Sequence, residues 1–223
     1  MLALLKKDYL VNRFIYFTLT LILAIVVILL SLKTTEGSIV ISVMSTVFIP
    51  LIVNRFGATE EMRKNYDLVI NSFPVKRRDV VISKFLYYII AYVIAAAIFM
   101  SITIIFNKLK GFDFHMLLLV ESLIFVYYCF FIGLPNFIYY YFDYEISIKY
   151  SGAITLSVLY VPPFLIGILL KFNPALKNQL KEMLFSSING TNIISLIIIL
   201  IGIVIYFIFM ALSILGYEKK DLI

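Results

Sequence analysis

The segment Ile193–Leu215 reads IISLIIILIGIVIYFIFMALSIL and contains no charged residue. It is long enough to cross a hydrocarbon core of about 30 Å as an α-helix. The whole chain shares this character, because 63% of its 223 residues are hydrophobic, 14% are charged, and the mean hydropathy is +1.04. Soluble globular domains average about 25% charged residues. The sequence therefore predicts an all-α integral membrane protein.

Apolar stretches of similar length recur along the chain, and together they predict six transmembrane helices. Their approximate ranges are 14–32, 38–56, 86–106, 116–141, 151–170 and 193–215. The connections between them leave no room for a soluble catalytic domain. Residues 1–223 are therefore predicted to form a single transmembrane domain.

Lysine and arginine residues indicate the orientation, because they accumulate in the cytoplasmic loops of membrane proteins. With both termini in the cytoplasm, most of the 19 Lys and Arg residues lie on the inner side, which supports an even number of spans. The net charge of +6 is then the ordinary basic face of a membrane protein beside anionic lipid, and it predicts no nucleic-acid partner. We expect a multi-pass protein of the plasma membrane.

Two segments outside the predicted spans are amphipathic. Residues 1–12 place leucines beside Lys6 and Lys7, which predicts a short N-terminal helix lying at the inner interface. Residues 171–192 carry an apolar stripe opposite Lys177 and Lys181, which predicts an outer amphipathic or re-entrant helix before the last span. A surface helix that only packs over the bundle is an equal alternative for the second segment.

The longest polar stretch, residues 57–85, follows the second predicted span. A helical stripe of apolar residues runs through it, formed by Met62, Tyr66, Val69, Ile70 and Phe73. The polar residues that project elsewhere are Glu60, Glu61, Arg63, Lys64 and Asp67. An apolar stripe of this kind is typical of a helix that binds in a groove of another protein. The alternative is that the stripe lies against the inner membrane surface.

The sequence lacks the groups that most enzyme sites need. It has one histidine, His115, whereas a zinc site takes three or four protein ligands. It also has no glycine-rich phosphate-binding loop, so we expect no ATP site, no metal and no cofactor on this chain. The chain is not predicted to be an enzyme.

A few polar residues inside the predicted spans are candidates for a translocation path. Glu121 is the only ionisable residue well inside a span, and a charge there is costly unless it faces a cavity or a partner. The alternative is a glutamate near the interface that reaches water. The other candidates are Ser42, Ser45, Thr46 and Asn136, which either line a path or cross-link helices by hydrogen bonds.

The loop sequence resembles a known family. Leu4-Leu5-Lys6-Lys7-Asp8 precedes the first span, Thr59-Glu60-Glu61 begins the predicted loop helix, and Asn71-Ser72-Phe73-Pro74-Val75-Lys76-Arg77-Arg78-Asp79 ends it, followed by Val80-Val81-Ile82-Ser83-Lys84-Phe85-Leu86. This pattern resembles the small ABC-2 type permeases, the membrane subunits of bacterial ABC exporters. Their loops usually read close to Leu-Pro-Val-Ser-Arg, so Phe73 and Lys76 depart from the pattern.

The resemblance implies a complex of two permeases, identical or different, with two separate ABC ATPase (nucleotide-binding) subunits that would hold ATP and Mg. It further implies that the first cytoplasmic loop is a coupling helix, with Glu60, Glu61, Met62, Tyr66, Asp67, Val69, Ile70 and Phe73 as ATPase-coupling residues. Within the family, size and composition are similar to permeases of phenol-soluble modulin exporters, which secrete amphipathic helical peptides. The implied cargo is amphipathic or hydrophobic, including cytolytic or antimicrobial peptides.

Two other classes of membrane protein stay open. A stand-alone secondary transporter or channel would work without an ATPase and would be sensitive to Glu121, although the internal repeat found in many secondary transporters is not apparent. A membrane immunity or accessory protein would bind a peptide without moving it.

Overall fold

The computed structural model describes residues 2–34, 41–52, 76–107, 114–142, 173 and 188–219, and these ranges are helical with no strand. The helices are α1 (Leu2–Lys33), α2 (Ile41–Ile52), α3 (Arg77–Asn107), α4 (Phe114–Tyr141) and α5 (Ile188–Lys219). In length and composition, four of them qualify as membrane spans, namely α1, α3, α4 and α5, whereas α2 is a shorter apolar helix. The all-helical class and the multi-pass membrane character are confirmed.

The helices correspond to predicted spans 1, 3, 4 and 6, and α2 lies inside predicted span 2. The predicted span 151–170 lies outside the described residues, so the number of six stays a prediction. The long helices extend past the predicted boundaries. At about 1.5 Å per residue, the 32 residues of α1 measure about 48 Å, well over the roughly 30 Å of a hydrocarbon core.

The N-terminal segment is not a separate interfacial helix, which corrects the prediction for residues 1–12. It forms the first three turns of α1, which continues unbroken from Leu2 to Lys33. No glycine or proline lies in this range to change the helix direction. In addition, Asp8 and Asn12 are buried, whereas a helix lying in the interface would expose its polar side to water.

The ends of two predicted loops also belong to helices. α3 begins at Arg77, so the last residues of the predicted polar stretch 57–85 form its first two turns. Asp79 lies in its first turn, where a carboxylate interacts favourably with the helix dipole. α5 begins at Ile188, within the predicted outer helix 171–192. Apart from Asn173, the remainder of that segment lies outside the described residues.

The chain divides into two compact units, Met1–Leu117 and Leu118–Ile223, and each is described by itself. In the first unit α1 packs against α3. The buried stripe on α3 follows helical spacing and includes Val81, Phe85, Tyr88, Ala95 and Phe99. Contacts join Asp8 to Lys84 near the start of both helices and Tyr16 to Ala91 about two turns further along. The two helices therefore run in the same direction.

In the second unit α4 and α5 pack closely through glycines that face aromatic rings. Along the two helices Gly202 faces Phe125, Gly133 faces Phe209, and Gly216 faces Tyr141. Because these contacts follow the same order on both helices, α4 and α5 also run in the same direction. Edge-to-face ring pairs complete the contact, with centroids 5.5 Å apart for Phe130 and Phe209 and 5.2 Å apart for Tyr140 and Tyr217.

The glycine contacts predict that alanine lowers the free energy of unfolding more at one glycine than at another. A Cβ on residue 216 would lie 2.7 Å from the Tyr141 Cα, a backbone atom that cannot turn aside. We expect Gly216→Ala to lower the free energy of unfolding by about 1–3 kcal/mol, as overpacking does. Gly202→Ala is the matched control, because its Cβ meets only the Phe125 ring and Val126 side chain, which can adjust. Thermal unfolding in detergent measures both, and equal losses would contradict the interpretation.

Candidate functional site

The predicted ATPase-coupling residues, from Glu60 to Phe73, lie outside the described residues, so their role stays a prediction. The structure describes where their loop ends. Lys76 immediately precedes α3, and its carbonyl accepts a hydrogen bond of 2.9 Å from the Asp79 backbone N–H. The polar stretch therefore leads directly, through this first turn, into a helix long enough to cross the membrane.

A row of polar contacts joins α1 to α3 near the starts of both helices, and we call it the polar ladder. Its first level is an ion pair, in which the Asp8 Oδ1 lies 3.6 Å from the Lys84 Nζ. In the second level the Tyr87 hydroxyl lies beside the Asn12 side chain. In the third, the Tyr16 hydroxyl donates a 2.7 Å hydrogen bond to the Ala91 carbonyl.

The ion pair of the polar ladder is buried. Asp8 is 3% exposed and Lys84 is 8% exposed. The Asp8 Oδ1 also lies 3.0 Å from the Lys7 Nζ, and the Asp8 carbonyl accepts a 3.0 Å hydrogen bond from the Asn12 Nδ2. Both lysines contact the same carboxylate oxygen, while Oδ2 is buried and has no hydrogen-bond partner among the described residues. Breaking the contact between Asp8 and Lys84 is costly because both groups are buried, although Lys7 would still compensate part of the Asp8 charge.

Sequence analysis missed the polar ladder, although part of its signal is visible. Asp8, Asn12 and Tyr16 recur at every fourth residue and so share one face of α1. The prediction of an interfacial helix placed Asp8 with Lys6 and Lys7 on a water-facing side. Lys84 was assigned to the polar loop, so nothing in the local pattern linked it to Asp8.

Three of the predicted path candidates lie on α2 and are buried there. The Ser45 hydroxyl donates to the Ile41 carbonyl at 2.7 Å, and the Thr46 hydroxyl donates to the Val43 carbonyl at 2.7 Å. These bonds stay within α2, so they do not cross-link helices. The Ser42 Oγ is buried with no hydrogen-bond partner in the described part of the chain. Of the three, Ser42 is therefore the one whose hydroxyl has no hydrogen bond to the described residues.

The other two candidates lie on α4, in the second unit. Glu121 is 7% exposed, which argues against the alternative of a glutamate that reaches water freely. Asn136 is half-buried, and its Nδ2 donates a 2.7 Å hydrogen bond back to the Ile132 carbonyl. The α2 and α4 candidates are thus described in separate units, and the structure does not join them into one site. No cluster of metal-ligating side chains occurs among the described residues.

The second unit also contains an apolar groove of about 470 Å³ between α4 and α5. Its lining consists of Leu123, Val126, Tyr127, Phe130, Ile198, Ile201 and Ile205. A hydrated ion would find almost no polar group there, whereas hydrocarbon fits its chemistry. Hydropathy gave no sign of the groove, because the same residues would equally suit a helix surface that faces lipid.

The buried ion pair predicts that replacing Lys84 lowers the free energy of unfolding more than replacing an exposed lysine does. Replacing Lys84 with Met should lower the free energy of unfolding by about 1.5–3 kcal/mol, because Asp8 then keeps Lys7 on its own helix but loses its charged contact with α3. Lys6→Met is the matched control, since Lys6 is exposed on the same end of α1. Unfolding of the purified chain in detergent measures the difference. Equal stability of the two variants would show that the pair contributes nothing.

One comparison with known proteins finds a match. The family model described as ABC-2 family transporter protein matches residues 3–218. No curated protein and no solved structure matches the chain. The family match includes the polar ladder, the loop before α3 and most of α5, so it covers nearly the whole chain. The protein belongs to the ABC-2 family of transporters, in which it is a membrane component and not the ATPase.

Proposed function

We propose that this chain is the transmembrane permease subunit of an ATP-driven exporter in a bacterial plasma membrane. The observation that carries the proposal is the family match over residues 3–218. The sequence has no phosphate-binding loop, so in this proposal a separate subunit supplies the energy of ATP hydrolysis. Two ABC ATPase subunits, which hold ATP and Mg, and a second permease, identical or different, complete the proposed transporter.

The proposed coupling element is the loop before α3, with its stripe Met62, Tyr66, Val69, Ile70 and Phe73 and its acidic residues Glu60, Glu61 and Asp67. The continuity of this loop with α3 supports the assignment. A displacement imposed on the loop by an ATPase would reach a helix long enough to cross the membrane without passing through another connection.

A six-span topology is part of the proposal, and the two parallel helix pairs support it. If α1 and α3 cross one bilayer in the same direction, the chain must return between them, and α2 lies in that interval. The same reasoning applied to α4 and α5 requires one return crossing, which the predicted span 151–170 would supply. Each unit then crosses the membrane an odd number of times, so the total is even and both termini lie on one side.

The charge distribution supports a cytoplasmic position for both termini. The described residues at the start of α1 and α3 include six cationic side chains besides Lys84, namely Lys6, Lys7, Arg13, Lys76, Arg77 and Arg78. At the opposite ends of these two helices Lys33 is the cationic residue described. Cytoplasmic ends of membrane helices carry such an excess of Lys and Arg.

The proposed cargo is amphipathic or hydrophobic, with cytolytic or antimicrobial peptides as the leading class. The apolar groove on α4 and α5 supports an apolar cargo over an ion. The family match does not distinguish between cargoes, and it lends no support to the narrower resemblance to phenol-soluble modulin exporters.

One observation favours a second candidate function, a secondary transporter that works alone. Glu121 is buried within α4, and carboxylates inside membrane spans often belong to ion or proton pathways. This candidate requires that transport continue without an ATPase and that Glu121→Gln abolish it.

The topology predicts opposite accessibility for two lysines on either side of the predicted fifth span. In a Cys129→Ala chain, a cysteine replacing Lys177 should react with a membrane-impermeant maleimide in intact cells. A cysteine replacing Lys149 should react only after the membrane is permeabilised. Reaction of both from the same side would contradict six spans, because it would leave no crossing between them.

The coupling proposal predicts that binding of the ATPase depends on one side of the loop helix. Met62→Glu, Tyr66→Glu and Phe73→Glu should each weaken binding by about 2 kcal/mol or more, because a charge would enter an apolar groove. Lys64→Glu is the matched control on the other side. Co-purification of each variant from the native host measures the effect, and a photoreactive residue at position 66 of the otherwise unchanged chain identifies what binds there. Capture of lipid alone at that position would contradict the coupling-helix assignment.

A further inference from the structure

The polar ladder advances regularly along both helices. Its residues on α1 are Asp8, Asn12 and Tyr16, and on α3 they are Lys84, Tyr87 and Ala91. Each level lies about one turn beyond the previous one on both helices. Such matched spacing keeps the same two faces together over more than two turns, which a single contact would not do.

Most of the apolar surface of α1 is exposed. Only 11% of its most apolar stretch is buried, against 28% for the corresponding stretch of α3. In a membrane, apolar side chains gain little by leaving lipid for a neighbouring helix, so polar bonds and close packing supply much of the attraction. The Asp8–Lys84 ion pair and the Tyr16–Ala91 hydrogen bond therefore help to hold α1 against α3 along its first half.

The position of the ladder relates it to the proposed coupling loop. Its ion pair lies on the eighth residue of α3, within the first turns that follow the loop. A force applied to the loop would thus meet the ladder before it reaches the mid-membrane part of α3. At that point α1 would either move together with α3 or stay in place.

We propose that the polar ladder fastens α1 and α3 into a single lever, so that a displacement of α3 by its loop is carried into α1. Asp8, Lys84 and Tyr16 are then positioning residues for transport. The transmission of a displacement from α3 to α1 rests on the proposed function. The association of α1 with α3 through the polar ladder does not. The two are separable by experiment.

The fastening is tested on the chain alone, in lipid nanodiscs. Spin labels replace Leu29 on α1 and Ile105 on α3, which are 57% and 69% exposed and lie far beyond the ladder, in a Cys129→Ala background. The label distance should be narrowly distributed in the parent chain. It should be broader and longer when Asp8→Asn is combined with Tyr16→Phe.

Two further variants separate fastening from folding. Tyr9→Phe, on the exposed side of α1, should leave the distribution unchanged. Lys84→Arg, which keeps a cation opposite Asp8, should also keep the parental distribution. If the combined ladder variant keeps its helical circular dichroism and also keeps the parental distance distribution, the ladder does not fasten the helices and the proposal is overturned.

The lever is tested in the complex with the ATPase subunits, with and without trapped ATP. The expected result is an unchanged distance between labels at Leu29 and Ile105, while the distance from Leu29 to a label at Leu200 on α5 changes. A change in the distance between the labels at Leu29 and Ile105 when ATP is trapped would contradict the proposal that α1 and α3 move together. If no ATPase binds or no distance responds to ATP, the proposed function fails. The measurements on the isolated chain still decide whether the polar ladder holds α1 against α3.

Discussion

A hydrocarbon solvent removes most of the force that packs helices in water, because lipid tails are as apolar as leucine side chains. The association of these helices therefore depends on two other kinds of contact, polar bonds between helices and close approach at small residues. The first unit uses the former, in the polar ladder between α1 and α3. The second uses the latter, where Gly133 and Gly216 admit Phe209 and Tyr141 against the helix backbone. The two units meet the same constraint with different chemistry.

Despite this difference, the two units share an arrangement of their long helices. In each, two helices separated by a long stretch of chain lie in parallel contact. Tyr16 and Ala91 are 75 residues apart, and Gly133 and Phe209 are separated by nearly the same length of chain. The contacts that join the helices differ in chemistry, since an ion pair and hydrogen bonds serve in the first unit and glycine–aromatic packing in the second. A structural correspondence of this kind is compatible with a chain built from two similar three-span halves.

Hydropathy predicted the long helices well, because a span of hydrocarbon imposes a minimum length of apolar sequence. It could not predict where those helices end, since a helix continues through the headgroup region wherever no glycine or proline stops it. For this reason α1 includes the predicted interfacial segment and α3 includes the end of the polar loop. The polar ladder could not be predicted from local sequence, because Asp8 and Lys84 each resemble ordinary surface charges among their sequence neighbours. Burial of both becomes apparent only when α1 and α3 are placed side by side.

The contrast between α3 and α4 bears on how a transporter of this family would move. α3 contains neither glycine nor proline over its 31 residues, so its hydrogen-bond ladder is uninterrupted and it can transmit a displacement along its length. α4 contains Pro135 two residues after Gly133, and a proline inside a helix removes one backbone hydrogen bond and permits bending. A stiff helix attached to the proposed coupling loop and a deformable helix in the other unit are suited to different tasks. The first can transmit a force along its length, whereas the second can bend at Pro135.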